Sequence, residues 1–358
     1  MRFWQACLIT LALGGLLAQA ASCQWQETRI TGDGASPYTP KTWGGVVYWT
    51  DSRDYQTGYV DIRKWESGTE TVIRQLPWAW GNDIEAIYQD DLVLMRGISS
   101  SNWDLYRWNA GTGVETAIST APGKQHNADI YQGTVVWEDH RDPNLSEIYI
   151  WDEAGGERVL SPSGYNQTVP KIWGQGADMR VTWQQEGQYG PEIHSYTPSE
   201  GTQLIGGGIS PAVYENKIVW WTSAYYNPYP IPFQPGYLFQ WTPAGGGVLL
   251  AEHNYTAPFA TTDIWGDLIA VGLWDTGAFS ALIAWDPANG LTRPDVGTGA
   301  AGRFPSVYSN QIAWVGNDIN YRSNIWLSTL VPEPAPILAL SSFAGGLLLI
   351  RLRKRRYH

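Results

Sequence analysis

Apolar and aromatic residues fall along this chain in short runs, separated by polar segments carrying Asp, Asn, Pro and Gly. That is the pattern of consecutive antiparallel strands, not of helices. Gly133 to Leu160 is the clearest instance: the runs Thr134–Trp137, Glu147–Trp151 and Arg158–Leu160 follow one another with turn residues between them. Asp129-Ile130-Tyr131 adds a fourth run just before the turn at Gln132-Gly133, so one sheet unit occupies about 43 residues.

The unit repeats. Its third run aligns at Trp65, Trp108, Trp151, Tyr196, Trp241, Trp285 and Ser328, with steps of 43, 43, 45, 45, 44 and 43. Its first run aligns at Trp43, Tyr88, Tyr131, Trp173, Tyr214, Trp265 and Tyr308, and its second at Trp49, Leu94, Trp137, Trp183, Trp220, Val271 and Trp314. Three registers agree on seven copies. A period of 40–50 residues holding four strands predicts an all-β fold, a seven-bladed β-propeller of four-stranded antiparallel blades, because each sheet must stack on its neighbours to bury its faces. The last copy runs into Val331-Pro332 without a fourth strand, whereas Glu27–Thr31 resembles the fourth strand Glu157–Ser161. The N-terminal strand is therefore expected to complete the last blade, leaving no open sheet edge in the ring.

The two ends read differently from the repeats. Residues 1–20 combine Arg2, an apolar core from Ala6 to Leu17 and the small-residue ending Ala18-Gln19-Ala20, a secretory signal peptide pattern. Residues 21–330 form the propeller. At the other end, Val331-Pro332-Glu333-Pro334 precedes sixteen uncharged residues, Ala335–Ile350, and then the basic run from Arg351 to Arg356. Sixteen helical residues span about 24 Å, short of a ~30 Å hydrocarbon core, which suits a transient transmembrane anchor with snorkelling arginines. In order and residue type, 331–358 resembles the PEP-CTERM sorting signal. The resemblance implies a Gram-negative source, recognition by a membrane exosortase at Pro332, Glu333 and Pro334, and release or transfer to the cell surface, often alongside exopolysaccharide. The chain would touch the membrane only through its C-terminal helix before processing.

Cys7 leaves with the signal, so at most Cys23 remains and no intramolecular disulfide is expected. Stability must come from packing, for which the chain carries 21 Trp, 20 Tyr and 7 Phe. Residues 21–334 hold 17 basic against 34 acidic residues, a net charge of −17. Such a surface disfavours nucleic acid, whose binding needs Lys and Arg to replace counterions, and is compatible with cations or neutral glycans.

Two loops between second and third strands read Trp49-Thr50-Asp51-Ser52-Arg53-Asp54 and Trp137-Glu138-Asp139-His140-Arg141-Asp142. With these motifs the blades resemble TolB-like propeller repeats; seven blades without an additional domain depart from the periplasmic Tol component, so its role is not carried over. Two readings of Asp-x-Arg stand open. The aspartate can fix a turn by accepting backbone N–H groups and pairing with the arginine. Alternatively Asp51, Asp54, Asp139, Asp142 and Glu147 supply hard oxygen ligands for Ca²⁺, although no loop has EF-hand spacing. The corresponding loop of blade five is long, and its excess, Tyr225 to Tyr237, carries Tyr225, Tyr226, Tyr229, Phe233 and Tyr237 among prolines that hold it extended. Those rings are candidates for stacking on sugars or gripping an extended partner; the alternative is a lid covering the ring mouth.

Catalytic constellations are absent from the motifs. His126, His140, His194 and His253 show no metal spacing, and there is no Gly-x-Ser-x-Gly elbow. The expected protein is an exported, non-enzymatic binding or scaffold propeller at the cell surface, with polysaccharide or a surface protein as partner. The alternative is a secreted carbohydrate-active hydrolase or lyase using carboxylates at the propeller mouth.

Overall fold

The computed structural model describes residues 23–78, 81–223, 235–253, 259–274, 280–295, 302–317 and 323–332. The signal segment, Glu333 and Pro334 of the sorting motif, the apolar tail and Tyr225, Tyr226, Tyr229 and Phe233 lie outside the described residues. Glu27–Thr329 form one compact unit.

Among the described residues there are seven four-stranded sheets. Blades one to six are meanders in chain order over 41–77, 83–119, 125–159, 167–207, 209–253 and 259–292. Blade seven takes its three inner strands from 303–332, and Cys23–Arg29 occupies its outermost place. The expected closure by the N-terminal strand is what the structure has. Just beyond that strand, the Ile30 amide donates to the Ile325 carbonyl at 3.0 Å, and the buried Thr31 hydroxyl donates to Asn324 Oδ1 and accepts from the Ile325 amide, both at 3.1 Å. Helical character among the described residues is confined to single turns at Tyr55–Thr57 and Gly176–Asp178, and no described helix is long and apolar enough to cross a membrane.

Each sequence register has a place in this ring. The first-run aromatics are the last residues of the seven innermost strands. All seven second-run residues are buried. They fill the space between neighbouring sheets: Trp137 packs with Val93, Met95 and Leu105 of blade two, and Trp49 with Ala313, Ile325 and Leu327 of blade seven. A four-stranded sheet has two apolar faces to cover, and the next blade covers each, so local sheet-to-sheet contact builds one ring of seven.

Candidate functional site

In every blade the second strand ends and the third begins at one face, hereafter the loop face. Innermost strands start there and end at the opposite face. At that opposite end the seven register aromatics meet. Neighbouring centroids lie 4.2–5.2 Å apart around the whole circle, from Trp43–Tyr88 to Tyr308–Trp43. Trp265 also reaches across to Trp43 at 5.0 Å and Trp173 at 5.5 Å. The axial channel is thus plugged at one end. What remains is a blind pit of about 340 Å³ open toward the loop face.

Charged side chains line this pit: Lys41, Asp83, Glu85, Asp129, Lys171 and Asp263. Several fasten one blade to the next. Glu85 accepts from the Ala128 amide at 3.2 Å, Asp129 from Ile172 at 2.9 Å and Asp263 from Val307 at 2.7 Å. The Ser306 hydroxyl does the same for Thr42 at 3.0 Å, joining blade seven to blade one. Asp83 accepts from Thr39 Oγ1 at 3.0 Å and the Ile84 amide at 2.8 Å. Burial, with Glu85 adding repulsion, pushes its carboxyl up to about 7. Burial likewise raises Asp263, and it lowers the Lys41 ammonium, with Lys171 adding to that effect.

The pit wall carries a repeated irregularity. In blades three, four, five and seven the pairing of strand one with strand two slips, and Asn127, Val169, Ser210 and Phe304 sit there with φ of +46 to +51°. Each lies four residues before the plug aromatic. A β-bulge with a left-handed residue bends the strand and re-aims its side chains. A β-branched residue such as Val169 is strained there, and such strain persists only where surrounding structure enforces it.

The carboxylates named from the loops behave as turn elements. Asp139 is fully buried; Oδ2 accepts from Trp137 Nε1 at 2.9 Å and Arg141 Nη2 at 2.8 Å, and Oδ1 from the Arg141 amide and Nε, both at 2.9 Å. Asp51 repeats this with Trp49 Nε1 at 3.3 Å, Arg53 Nη2 at 2.6 Å and the Arg53 amide at 2.9 Å. Burial opposes its ionisation, but the bonds from Arg53 win and hold its carboxyl below the ordinary value. Asp54 is exposed, 3.8 Å from Arg63, and exposed Asp142 caps the Asn144 amide at 2.9 Å. Asp51, Asp54, Asp139 and Asp142 therefore do not gather around a common point. Two of them are spent on a Trp-x-Asp-x-Arg hook and two face solvent. Among the described residues the ligand-type atoms that do converge belong to His126, Glu138 and His140, all within 4.8 Å of one another. Tyr237 is also displaced from its expected place: it is in the third strand of blade five, which starts at Gly236, and pairs with Thr222. Alternation along that strand, not the loop, sets its ring half-buried.

Exposed aromatic rings show a clear bias. Blade one presents Tyr38 before its first strand, Tyr55 and Tyr59 around its long connection and Trp78 after its last strand. Tyr165 stands between blades three and four, Tyr189 at the strand two–three turn of blade four, and Phe259 at the start of blade six. Every one of these positions is on the loop face. Tyr189, 89% exposed, is the most solvated. The sequence pattern points to the blade-five loop and to none of these rings. Their signal is nonetheless there, since each lies outside the three repeat registers that account for the core.

No protein-family model matches this chain, and no curated protein does. Solved structures do. An oligogalacturonate lyase in complex with manganese aligns over 88% of this chain and 95% of its own, with a TM-score of 0.59 at 13% identity. The β-propeller domain of the Trilobed protease from Pyrococcus furiosus, described as an open velcro topology, aligns over 85% and 100% with a TM-score of 0.58 at 11% identity. A Mycobacterium tuberculosis puromycin-hydrolyzing peptidase aligns over 85% with a TM-score of 0.61 at 14% identity, and this chain spans about half of it (54%). These likenesses establish the propeller fold.

Proposed function

We propose that this chain is an exported, surface-sorted propeller that binds extracellular polysaccharide at its loop face and holds it without transforming it. The observation that carries this reading is the confinement, among the described residues, of the exposed aromatic rings to one face, the face onto which the blind pit also opens. A tyrosine or tryptophan ring offers a flat apolar surface to the C–H side of a sugar and a polar edge to its hydroxyls. A shallow spread of such rings suits an extended polymer. The carboxylates of the pit support binding over hydrolysis, because Glu85, Asp129 and Asp263 are engaged as acceptors of blade-to-blade backbone bonds. Net charge favours neutral or cationic polymers over anionic ones.

Sorting completes the proposal. Pro332, Glu333 and Pro334 are the exosortase recognition residues, the tail is a transient inner-membrane anchor, and the released ring works at the cell surface or outside it. Two experiments test the two halves. A polysaccharide array probed with the purified protein and with the Tyr55→Ala, Tyr165→Ala, Tyr189→Ala triple variant should show retention of a neutral polymer by the first only; equal retention by both contradicts the loop-face site. Changing Pro332 and Pro334 to Ala should leave the chain in the inner-membrane fraction of its host, and unchanged release would remove the sorting half.

A further inference from the structure

We infer that His126, Glu138 and His140 form a binding site for one divalent transition-metal cation of the zinc class at the loop-face end of blade three. His126 lies near the start of the first strand, and Glu138 and His140 lie two apart on the second, so their side chains share one side of the sheet. Strand pairing sets His126 opposite Glu138. His140 Nε2 is 2.7 Å from Glu138 Oε1, and His126 Nε2 is 3.8 Å from the same oxygen. The imidazoles stack nearly parallel, 10° apart with centroids at 5.1 Å. Two donors bound at about 2.1 Å to one ion stand at most about 4.2 Å apart. Both separations from the shared Glu138 oxygen fall inside that span, and the histidine nitrogens, within 4.8 Å of one another, need to close by at most about 0.6 Å to reach it.

The surroundings fix the ligands as outer-shell partners do at metal sites. Glu138 is 5% exposed, and its second oxygen accepts from Asn127 Nδ2 at 2.8 Å and from the Val169 amide at 3.2 Å, which turns Oε1 toward the histidines. Trp103 sets its ring against His126 at 5.6 Å. Gly123, at φ +97°, lets the strand passing from blade two press against the His140 backbone, where a Cβ would come within 2.3 Å of the carbonyl. His140 keeps about a third of its side chain in solvent, so the site has an entry path and room for water as a further ligand.

Blade four shows what the same framework does without a metal. There Gln184 takes the place of Glu138 and Thr168 that of His126, and the Gln184 amide oxygen alone accepts from the Ser210 amide at 3.3 Å. A neutral side chain thus suffices to hold the next blade's bulge. The extra charge and the two imidazoles of blade three have no counterpart in that duty. Imidazole with carboxylate suits Zn²⁺, Co²⁺ or Ni²⁺ and not Ca²⁺, which takes oxygen ligands.

The test is titration of the EDTA-stripped purified protein with ZnCl₂ by calorimetry, and with CoCl₂ by visible absorption. The expected result is one equivalent of Zn²⁺ per chain, a Co²⁺ spectrum with ligand-field bands, and no heat with CaCl₂. His126→Ala and His140→Ala should each weaken Zn²⁺ by more than the roughly 10–100-fold that loss of an outer-shell partner costs. Glu138→Gln copies the residue blade four already uses, so it keeps the fold and should weaken binding likewise. His194→Ala removes a histidine 3.0 Å from Glu192, a pair with no third ligand among the described residues, and should leave the titration unchanged. Absence of a stoichiometric Zn²⁺ site in the native protein, or Zn²⁺ affinity unaltered in Glu138→Gln, would overturn the assignment.

Discussion

Changing Asp83 to Asn removes one half-buried charge from the axial pit while keeping its shape. The Asn carbonyl can still accept from the Ile84 amide, and the Thr39 hydroxyl can reverse its role to accept from the new amide. In the folded chain this carboxyl titrates at about 7, against an ordinary 3.8, because burial and then Glu85 oppose its ionisation. Between those values the native state keeps a proton that the unfolded chain has lost, so native protein binds more protons and stability falls as pH rises. Three units at about 1.4 kcal/mol each give roughly 4 kcal/mol, and screening by water entering the pit reduces this to about 2–4 kcal/mol. The full cost is present above pH 7 and vanishes below pH 4. Asp83→Asn should therefore match the parent near pH 4 and exceed it at pH 8 by about 2–4 kcal/mol, on the order of 4–8 °C in melting temperature. Calorimetric melting at pH 4, 5.5, 7 and 8 reads the difference. An advantage that is the same at pH 4 and pH 8, or that grows toward acid, would refute the reasoning.

Other substitutions probe the remaining parts of the fold. Asp139→Ala leaves the buried Trp137 indole N–H without its acceptor and leaves Arg141, a third of whose side chain is in solvent, with Glu157 alone, and should cost about 1–3 kcal/mol in urea denaturation, whereas exposed Asp142→Ala should stay within about 0.5 kcal/mol of the parent. Trp265→Ala empties the centre of the aromatic plug and should lower stability by about 3–5 kcal/mol, measured the same way. Thr31→Val removes both hydrogen bonds of the Thr31 hydroxyl at the ring closure and should cost about 1–3 kcal/mol, and Thr28→Val on the exposed side of the closing strand much less.

The periodic aromatics make most of this fold legible in the sequence. Residues in equivalent blade positions face equivalent neighbours, so Trp43, Tyr88 and their counterparts repeat where the plug needs a ring, and Trp49 and Trp137 where two sheets meet. The closing strand could be read because Glu27–Thr31 resembles a fourth strand. The histidine site could not. Continuing the pairing that starts at the Gln132-Gly133 turn would put His126 opposite Asp139, on the other side of the sheet from Glu138. The bulge at Asn127 shifts the pairing by one residue and brings His126 over Glu138. A left-handed backbone at a non-glycine residue leaves no mark in composition or period. The Asp-x-Arg motif, for its part, reads as a hook or as metal ligands until the Trp Nε1 and Arg contacts are seen to fill both carboxylate oxygens of Asp139.

The binding claim is tested most directly by incubating the purified protein with the polysaccharide it retains and following the polymer's chain length and new reducing or unsaturated ends over time, with free polymer separated at each point. Retention with chain length unchanged over hours is the outcome predicted for a surface propeller that binds through its loop-face aromatics. Steady shortening of the polymer, abolished with the protein's removal, would contradict it and make the loop face the mouth of an enzyme.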